Sequence, residues 1–182
     1  MSRVTTLTPE AMTPEQRRAY DGIVAGPRGR IGGPFNAWLR SPELADTAQK
    51  VGAFLRFRTS LPPRLSEMAI LMTAYYWRAQ YEWYAHAPLA LKGGLADAVI
   101  AALQVGKKPA AMQPDEAVVY DLCHELLNKR RISDSTYRQA IATFGETGVV
   151  ELVAIAGYYC MVGLTLNAFE VVPPKGEEPF KE

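Results

Sequence analysis

The sequence has little of what marks several specialised classes of protein. Its 182 residues include two cysteines and two histidines, and the formal net charge is +1. Proteins that bind nucleic acid usually carry a clear basic excess, so this balance predicts no nucleic-acid partner. The two cysteines, Cys123 and Cys160, lie far apart within apolar segments and do not form a disulfide framework. We therefore predict buried thiols in a reducing, cytoplasmic environment.

The sequence also shows no segment typical of a signal peptide or a membrane span. The beginning, "MSRVTTLTPEAMTPEQ", contains no apolar core of the signal-peptide type. The most apolar stretch, "VVELVAIAGYYCMVGLTLNAF", is interrupted by Glu151 and contains glycines and tyrosines. Such a stretch is more typical of a buried helix than of a membrane span, so we predict no membrane partner. The glycines of "GPRGRIGG" follow no strand, and a phosphate-binding loop is therefore not expected.

Helical patterns follow one another along the whole chain. No segment alternates polar and apolar residues with period two, as a half-buried strand would. Thr13, Ser41 and Ser133 each stand where a capping residue precedes a helical pattern, and Gly26 and Gly145 stand where such a pattern ends. The sequence therefore predicts an all-α, single-domain helical bundle.

The predicted domain organisation has three parts. An N-terminal helix and a Gly/Pro-rich loop occupy residues 1–33, and the all-α domain occupies 34–170. The remaining residues, 171–182, are rich in proline and charge and are expected to be a flexible tail. Within the domain, Tyr75–Tyr76 and Tyr158–Tyr159 each follow a glutamate in an apolar helix, which suggests an internal helical repeat.

One segment, "RAQYEWYAHAPLALKGGL", combines titratable and aromatic residues. Glu82 and His86 are four residues apart and share one helix face, where the carboxylate can orient and charge the imidazole. Glu67 would be remote in one straight helix, so it reaches His86 only if the chain breaks near residues 77–79. The alternative is that the Glu–His pair is an ordinary structural interaction. If the site exists, the expected aromatic walls are Tyr76, Trp77, Tyr81, Trp83 and Tyr84.

Neither a metal nor an organic cofactor is predicted for this segment. Glu67, Glu82 and His86 could supply metal ligands, but no H-x-x-x-H or H-E-x-x-H pair is present. Arg78, or one of Arg56 and Arg58, is a candidate for binding a substrate carboxylate, because a guanidinium matches its geometry. For each arginine the alternative is a solvated helix face.

The pattern "SEMAILMTAYYWRAQYEWYAHAPLALKGGLADAVIAAL" resembles the carboxymuconolactone decarboxylase family, whose superfamily also contains the alkylhydroperoxidase D proteins. Glu67, His86 and "GGLADAVIAAL" stand at the positions of the family's glutamate, histidine and following helix. The resemblance extends from Pro62 to Gly106. It implies an alkylhydroperoxidase D-like helical fold, and it implies homo-oligomers, commonly trimers or hexamers.

The sequence departs from the peroxidase branch of this superfamily, which carries a C-x-x-C pair. Ala79 and Glu82 occupy the two cysteine positions, and neither side chain can attack a peroxide or resolve a sulfenic acid. The resemblance therefore points to the cysteine-less branch. It implies a cofactor-independent lyase that acts on a small carboxylated or lactone substrate of aromatic catabolism. His86 would donate the proton, Glu82 would hold and charge the imidazole, and Glu67 would shape the field or relay a proton.

Two further residues enter through the resemblance. Asn36 and Trp38, in "GGPFNAWLRSPELA", are expected to close the pocket from above. Two alternative functions stay open. One is a peroxiredoxin-type antioxidant protein that uses Cys123 or Cys160, and the other is a non-enzymatic binding protein on the same fold.

Overall fold

The computed structural model describes residues 2–174 and 177–180. A short 3-10 helix at Pro9–Ala11 precedes α1 (Pro14–Ala25), α2 (Phe35–Trp38), α3 (Pro42–Phe57), α4 (Pro63–Tyr76), α5 (Gln80–Lys92), α6 (Asp97–Gln104), α7 (Pro114–Lys129) and α8 (Asp134–Ala168). The described residues contain no strand. The prediction of an all-α, single-domain bundle is therefore confirmed.

Two of the three predicted capping residues form their hydrogen bonds. The Thr13 hydroxyl accepts from the backbone N–H of Gln16, and Ser133 accepts from that of Thr136. Each bond satisfies a backbone donor that the first helical turn leaves without a partner. Ser41 does stand at the start of α3, but its side chain makes no capping bond there, and its ψ of 86° departs from the usual extended geometry.

The helix ends predicted near residue 78 and at Gly145 are both present. The chain leaves α4 at Tyr76 and enters α5 at Gln80, and Arg78 between them has a left-handed φ of 50°. Gly145 interrupts α8 with a φ of 66° and a ψ of 176°, a conformation that is essentially restricted to glycine. The first break turns α5 back along α4, and this turn brings Glu67 and His86 together.

Helix α4 lies at the centre of the bundle. Its residues from Leu65 to Ala74 are buried on every side, as expected for a helix enclosed by others. Helices α5, α6, α7 and α8 pack around it, and α3 joins them at the side that carries α1. Because α4 is enclosed, the side chain of Glu67 near its start points into protein and not into solvent.

The length and apolarity of α8 would suffice for a membrane span. Its most apolar window has a mean hydropathy of 1.8, yet half of that window is buried inside the fold. Core helices of soluble proteins have the same properties, so the structure is compatible with a soluble protein.

Both ends of the described chain pack against the helical bundle. Helix α1 packs on α3, and the loop that follows it borders a cavity described below. In the tail, residues 171–174 and 177–180 contain no helix, and residues 175–176 and 181–182 lie outside the described part. The flexibility of the tail stays a prediction, but Phe180 is 3% exposed, and its burial was not expected.

Candidate active site

A cavity of about 110 Å³ lies between α3, α5, α8 and the loop of residues 26–34. Helix α5 contributes Glu82 and His86 to its lining, and α8 contributes Tyr158 and Tyr159. The loop contributes Arg28, so charged groups meet here from separate parts of the chain. The cavity is partly open to solvent.

His86 lies between two carboxylates. Its Nδ1 is 2.5 Å from Oε2 of Glu67, and its Nε2 is 3.0 Å from Oε1 of Glu82. All three residues are at most 7% exposed. The contact between Glu82 and His86 follows from their spacing of four residues on one helix. The contact between Glu67 and His86 exists only because the chain breaks after α4. The structure thus brings together the three residues that the sequence predicted as an acid–base centre.

The two carboxylates determine the charge of the ring. Burial by itself lowers the pKa of His86, but the negative charges of Glu67 and Glu82 outweigh it and raise the pKa to about 9. His86 is therefore an imidazolium at neutral pH, and each of its nitrogens donates to a carboxylate. The edge of the ring packs against Tyr159, with 5.2 Å between the centroids. The ring is held in place on three sides and carries a transferable proton.

Three arginines, Arg28, Arg30 and Arg56, line the same cavity. Arg28 lies over the ring of Phe35 at 4.8 Å, and Arg56 lies over that of Phe57 at 5.0 Å. The Nε atoms of both are buried and make no hydrogen bond within the described part of the chain. A buried donor without a partner is costly, and a ligand carboxylate would satisfy it. Arg56 was one of three arginines considered from the sequence, whereas Arg28 and Arg30 were missed.

A glycine in α3 makes room for these groups. A Cβ atom at Gly52 would overlap the Tyr158 hydroxyl and the Nη2 of Arg28. The absence of a side chain there lets the phenol and the guanidinium approach the helix backbone. Burial raises the pKa of Tyr158 to about 12 and raises that of Tyr159 well above its usual value, so both are neutral hydroxyls near neutral pH.

Only one of the five aromatic residues that were predicted to line the site does so. Tyr81 lines the cavity, where its ring packs beside Gly33. Trp83 is buried elsewhere, against Phe180, because each residue turns the helix by about 100° and only one face of α5 meets the cavity. Tyr76 is 44% exposed and borders a second cavity of about 260 Å³ between α4, α6 and α7. Trp77 and Tyr84 do not line the first cavity either.

Arg78, Asn36 and Trp38 also lie away from the cavity lining. The guanidinium of Arg78 lies over the ring of Phe180, which is not a lining residue of the cavity. The Asn36 side chain accepts from the backbone N–H of Leu7 and donates to a backbone oxygen, so it holds the N-terminal segment instead of closing a pocket. Trp38 donates to the Thr165 hydroxyl and supports the wall from behind.

Cys123 and Cys160 are the two thiols considered for a redox role. Both are free, and Cys123 is fully buried. Burial raises the pKa of Cys123 to about 12, so the reactive thiolate is scarce near neutral pH. Within the described residues, no group of three or more His, Cys, Asp and Glu side chains is arranged to hold a metal ion.

Comparison with known proteins adds no assignment to this geometry. No family model matches the sequence, and no curated protein matches it. The chemistry is therefore inferred from the charges, the distances and the resemblance of the α4–α6 segment.

Proposed function

We propose that the protein is a cofactor-independent lyase that removes a carboxyl group from a small carboxylated or lactone substrate. The observation that carries the proposal is the buried Glu67–His86–Glu82 centre beside two arginines with unsatisfied Nε groups. The resemblance to the carboxymuconolactone decarboxylase family supports the same reaction class and a substrate of aromatic catabolism.

The cavity has the charges that such a substrate requires. Arg28 and Arg56 would bind a carboxylate or a lactone oxygen through their free Nε groups. Phe35 and Val162 give the cavity an apolar part that would contact the carbon skeleton. When the C–C bond to the carboxylate breaks, its electrons move into the adjacent carbonyl and form an enolate. A guanidinium beside the enolate oxygen stabilises this charge in the transition state.

His86 then completes the reaction by supplying the proton. Glu82 and His86 line the cavity, whereas Glu67 is not part of the lining and bonds to the opposite nitrogen. The imidazolium gives its Nε2 proton to the carbon that lost CO₂, and Glu67 stabilises the ring in its charged form beforehand. Glu82 lines the cavity beside the ring and accepts from the same Nε2, so it would return a proton from solvent to His86 after each turnover. One proton is consumed for each CO₂ released.

A decarboxylation assay tests this proposal. Wild type and variants would be offered a panel of carboxylated lactones and β-keto acids, and CO₂ release would be followed. His86→Ala should lower kcat by at least about 100-fold, as expected for loss of a positioned acid. His124→Ala is the matched control, because His124 is exposed and outside this cavity, and it should retain full activity. Absence of turnover by the wild type on the whole panel would overturn the proposal.

We also propose that the chain forms homo-oligomers, with trimers or hexamers suggested by the resemblance. Val150, Gly157 and Leu164 of α8 recur every seven residues and are all exposed, so they form one apolar stripe. Contiguous exposed apolar surface is typical of protein interfaces. Light scattering should give a multiple of 20.1 kDa, and Val150→Glu should reduce it to the monomer mass. A monomeric wild type would contradict the proposal.

A further inference from the structure

Helix α5 carries Glu82 and His86, yet its own sequence stabilises it poorly. Ala79 stands at its N-cap and makes no side-chain capping bond. The preceding residue, Arg78, has a left-handed φ of 50°, and Pro88 lies within the helix. A proline has no N–H, so one helical hydrogen bond is missing. At the start of α5, the absence of a capping side chain leaves the first backbone N–H groups without stabilisation from the N-cap residue.

The C-terminal tail supplies hydrogen bonds at this point. The side-chain amide of Gln80 donates to the backbone oxygen of Phe180 at 2.6 Å, and it accepts from the backbone N–H of Phe180 at 2.8 Å. Gln104 of α6 donates to the backbone oxygen of Pro179 at 2.7 Å. Two side chains from neighbouring helices thus hold the backbone of the tail, and one of them is the first residue of α5.

The side chain of Phe180 fills the corner between α4 and α5. Its ring lies edge-on to Trp83, with 5.2 Å between the centroids, and to Tyr75, with 6.0 Å. The Arg78 guanidinium lies 4.7 Å from the centre of the same ring. One buried aromatic ring therefore contacts the last turn of α4, the chain break and the first turn of α5.

This corner adjoins the turn of α5 that carries Glu82. Trp83 is the next residue after Glu82 in the first turn of α5. If the Trp83 side chain shifts and takes the helix backbone with it, the Glu82 carboxylate moves as well. The bond between His86 and Glu67 joins α5 to α4 and requires the two helices to keep their relative position. Phe180 contacts both helices close to the break, through Tyr75 of α4 and Trp83 of α5. No side-chain capping bond is present at the start of α5 there.

We propose that Phe180 is a positioning residue for the Glu82–His86 pair and that residues 177–180 fix the start of α5 by packing into its corner with α4. The role in turnover rests on the proposed function, whereas the effect on the geometry of the pair does not. Phe180 itself does not line the cavity, so it acts through Gln80 and Trp83 and not on the substrate.

Full-length Phe180→Ala, Phe180→Leu and Leu122→Ala test this inference. Leu122 is fully buried on α7, which packs against α4 and α8, so its truncation removes a large core side chain away from the tail. The readouts are hydrogen exchange of the backbone amides of residues 82–87 and the NMR titration of the His86 ring. His124 is the only other histidine and serves as the internal reference.

In Phe180→Ala, the α5 amides should exchange at least about tenfold faster relative to those of α3, which carries none of the substitutions, as expected for local opening. The His86 titration midpoint should fall, because its distance to the carboxylates is no longer fixed. Phe180→Leu should restore most of both properties, and Leu122→Ala should leave the His86 midpoint unchanged. If Phe180→Ala instead behaves like Leu122→Ala in both readouts, the residue contributes only general stability and the inference is overturned.

The experiment separates this inference from the proposed function. Exchange and titration require no substrate, so a positive result stands even if the decarboxylation assay fails. If the assay succeeds, Phe180→Ala should lower kcat more than it raises KM, because the acid is misplaced while the arginines remain. An unchanged kcat would overturn the positioning role and leave the lyase proposal intact.

Discussion

Replacing Glu67 and Glu82 together by glutamine should remove the pH dependence of stability that His86 confers. Glutamine keeps the size of glutamate and an oxygen that can accept from the ring nitrogens, but it has no charge. In the double variant only burial acts strongly on the ring, and burial lowers the pKa of His86. The substitution therefore reverses the direction in which the folded protein shifts this pKa.

The size of the effect follows from the pKa of His86 in the two states. The folded value of about 9 and the ordinary value of 6.5 differ by an amount that corresponds to about 3 kcal/mol. The folded state binds this proton more tightly than the unfolded state does. Its contribution to the free energy of unfolding is therefore full below pH 6.5 and is lost as the pH rises through about 9. In the double variant no such loss should occur above pH 6.5, because the folded pKa lies below the unfolded one.

Urea unfolding followed by circular dichroism, at several pH values between about 6.5 and 9.5, measures this difference. The wild type should lose about 3 kcal/mol more than the double variant over this range. Asp46→Asn is a suitable control, because Asp46 forms an exposed ion pair with Lys50 on α3 and should keep the wild-type slope. Equal slopes for the wild type and the double variant would refute the assignment of a charged His86.

Three further predictions concern single contacts. Gly52→Ala should lower the free energy of unfolding by about 1–3 kcal/mol, since the methyl overlaps a buried tyrosine hydroxyl. The matched Gly22→Ala, with open space around it, should instead raise it by up to about 1 kcal/mol. Arg64→Ala should cost about 3 kcal/mol in urea unfolding, because the buried Glu116 carboxylate loses its counter-charge at 2.6 Å. Cys123 should resist iodoacetamide near pH 8 by mass spectrometry, since burial raises its pKa to about 12; rapid labelling of the folded protein would contradict this.

Local geometry explains why the acid–base centre could be predicted. Glu82 and His86 are four residues apart, so they share one face of any α-helix, whatever surrounds it. Glu67 required one additional inference, a break between two apolar helices, and the structure has that break at Arg78. The capping residues and the glycine at 145 are likewise properties of a few neighbouring residues.

Residues that reach the site through tertiary packing could not be found in this way. Arg28 follows α1, and nothing in its neighbourhood indicates that the loop folds over α5. Phe180 stands in a charged, proline-rich tail whose composition is typical of unstructured segments. Trp83 and Tyr84 were assigned to the wrong wall because α5 is buried on more than one side. An apolar or aromatic pattern then shows that a residue is inside, but not which neighbour it meets.

The short connection between α4 and α5 has a consequence for how this protein can vary. Only the residues from Trp77 to Ala79 separate the two helices, so their number sets the rotational phase of one helix against the other. One inserted residue that lengthened α5 at its start would rotate Glu82 and His86 by about 100° and carry both away from Glu67. A substitution within the connection leaves this phase unchanged. Chain length at this point is therefore constrained more strictly than residue identity, and related chains that keep the centre should show substitutions there but no gaps.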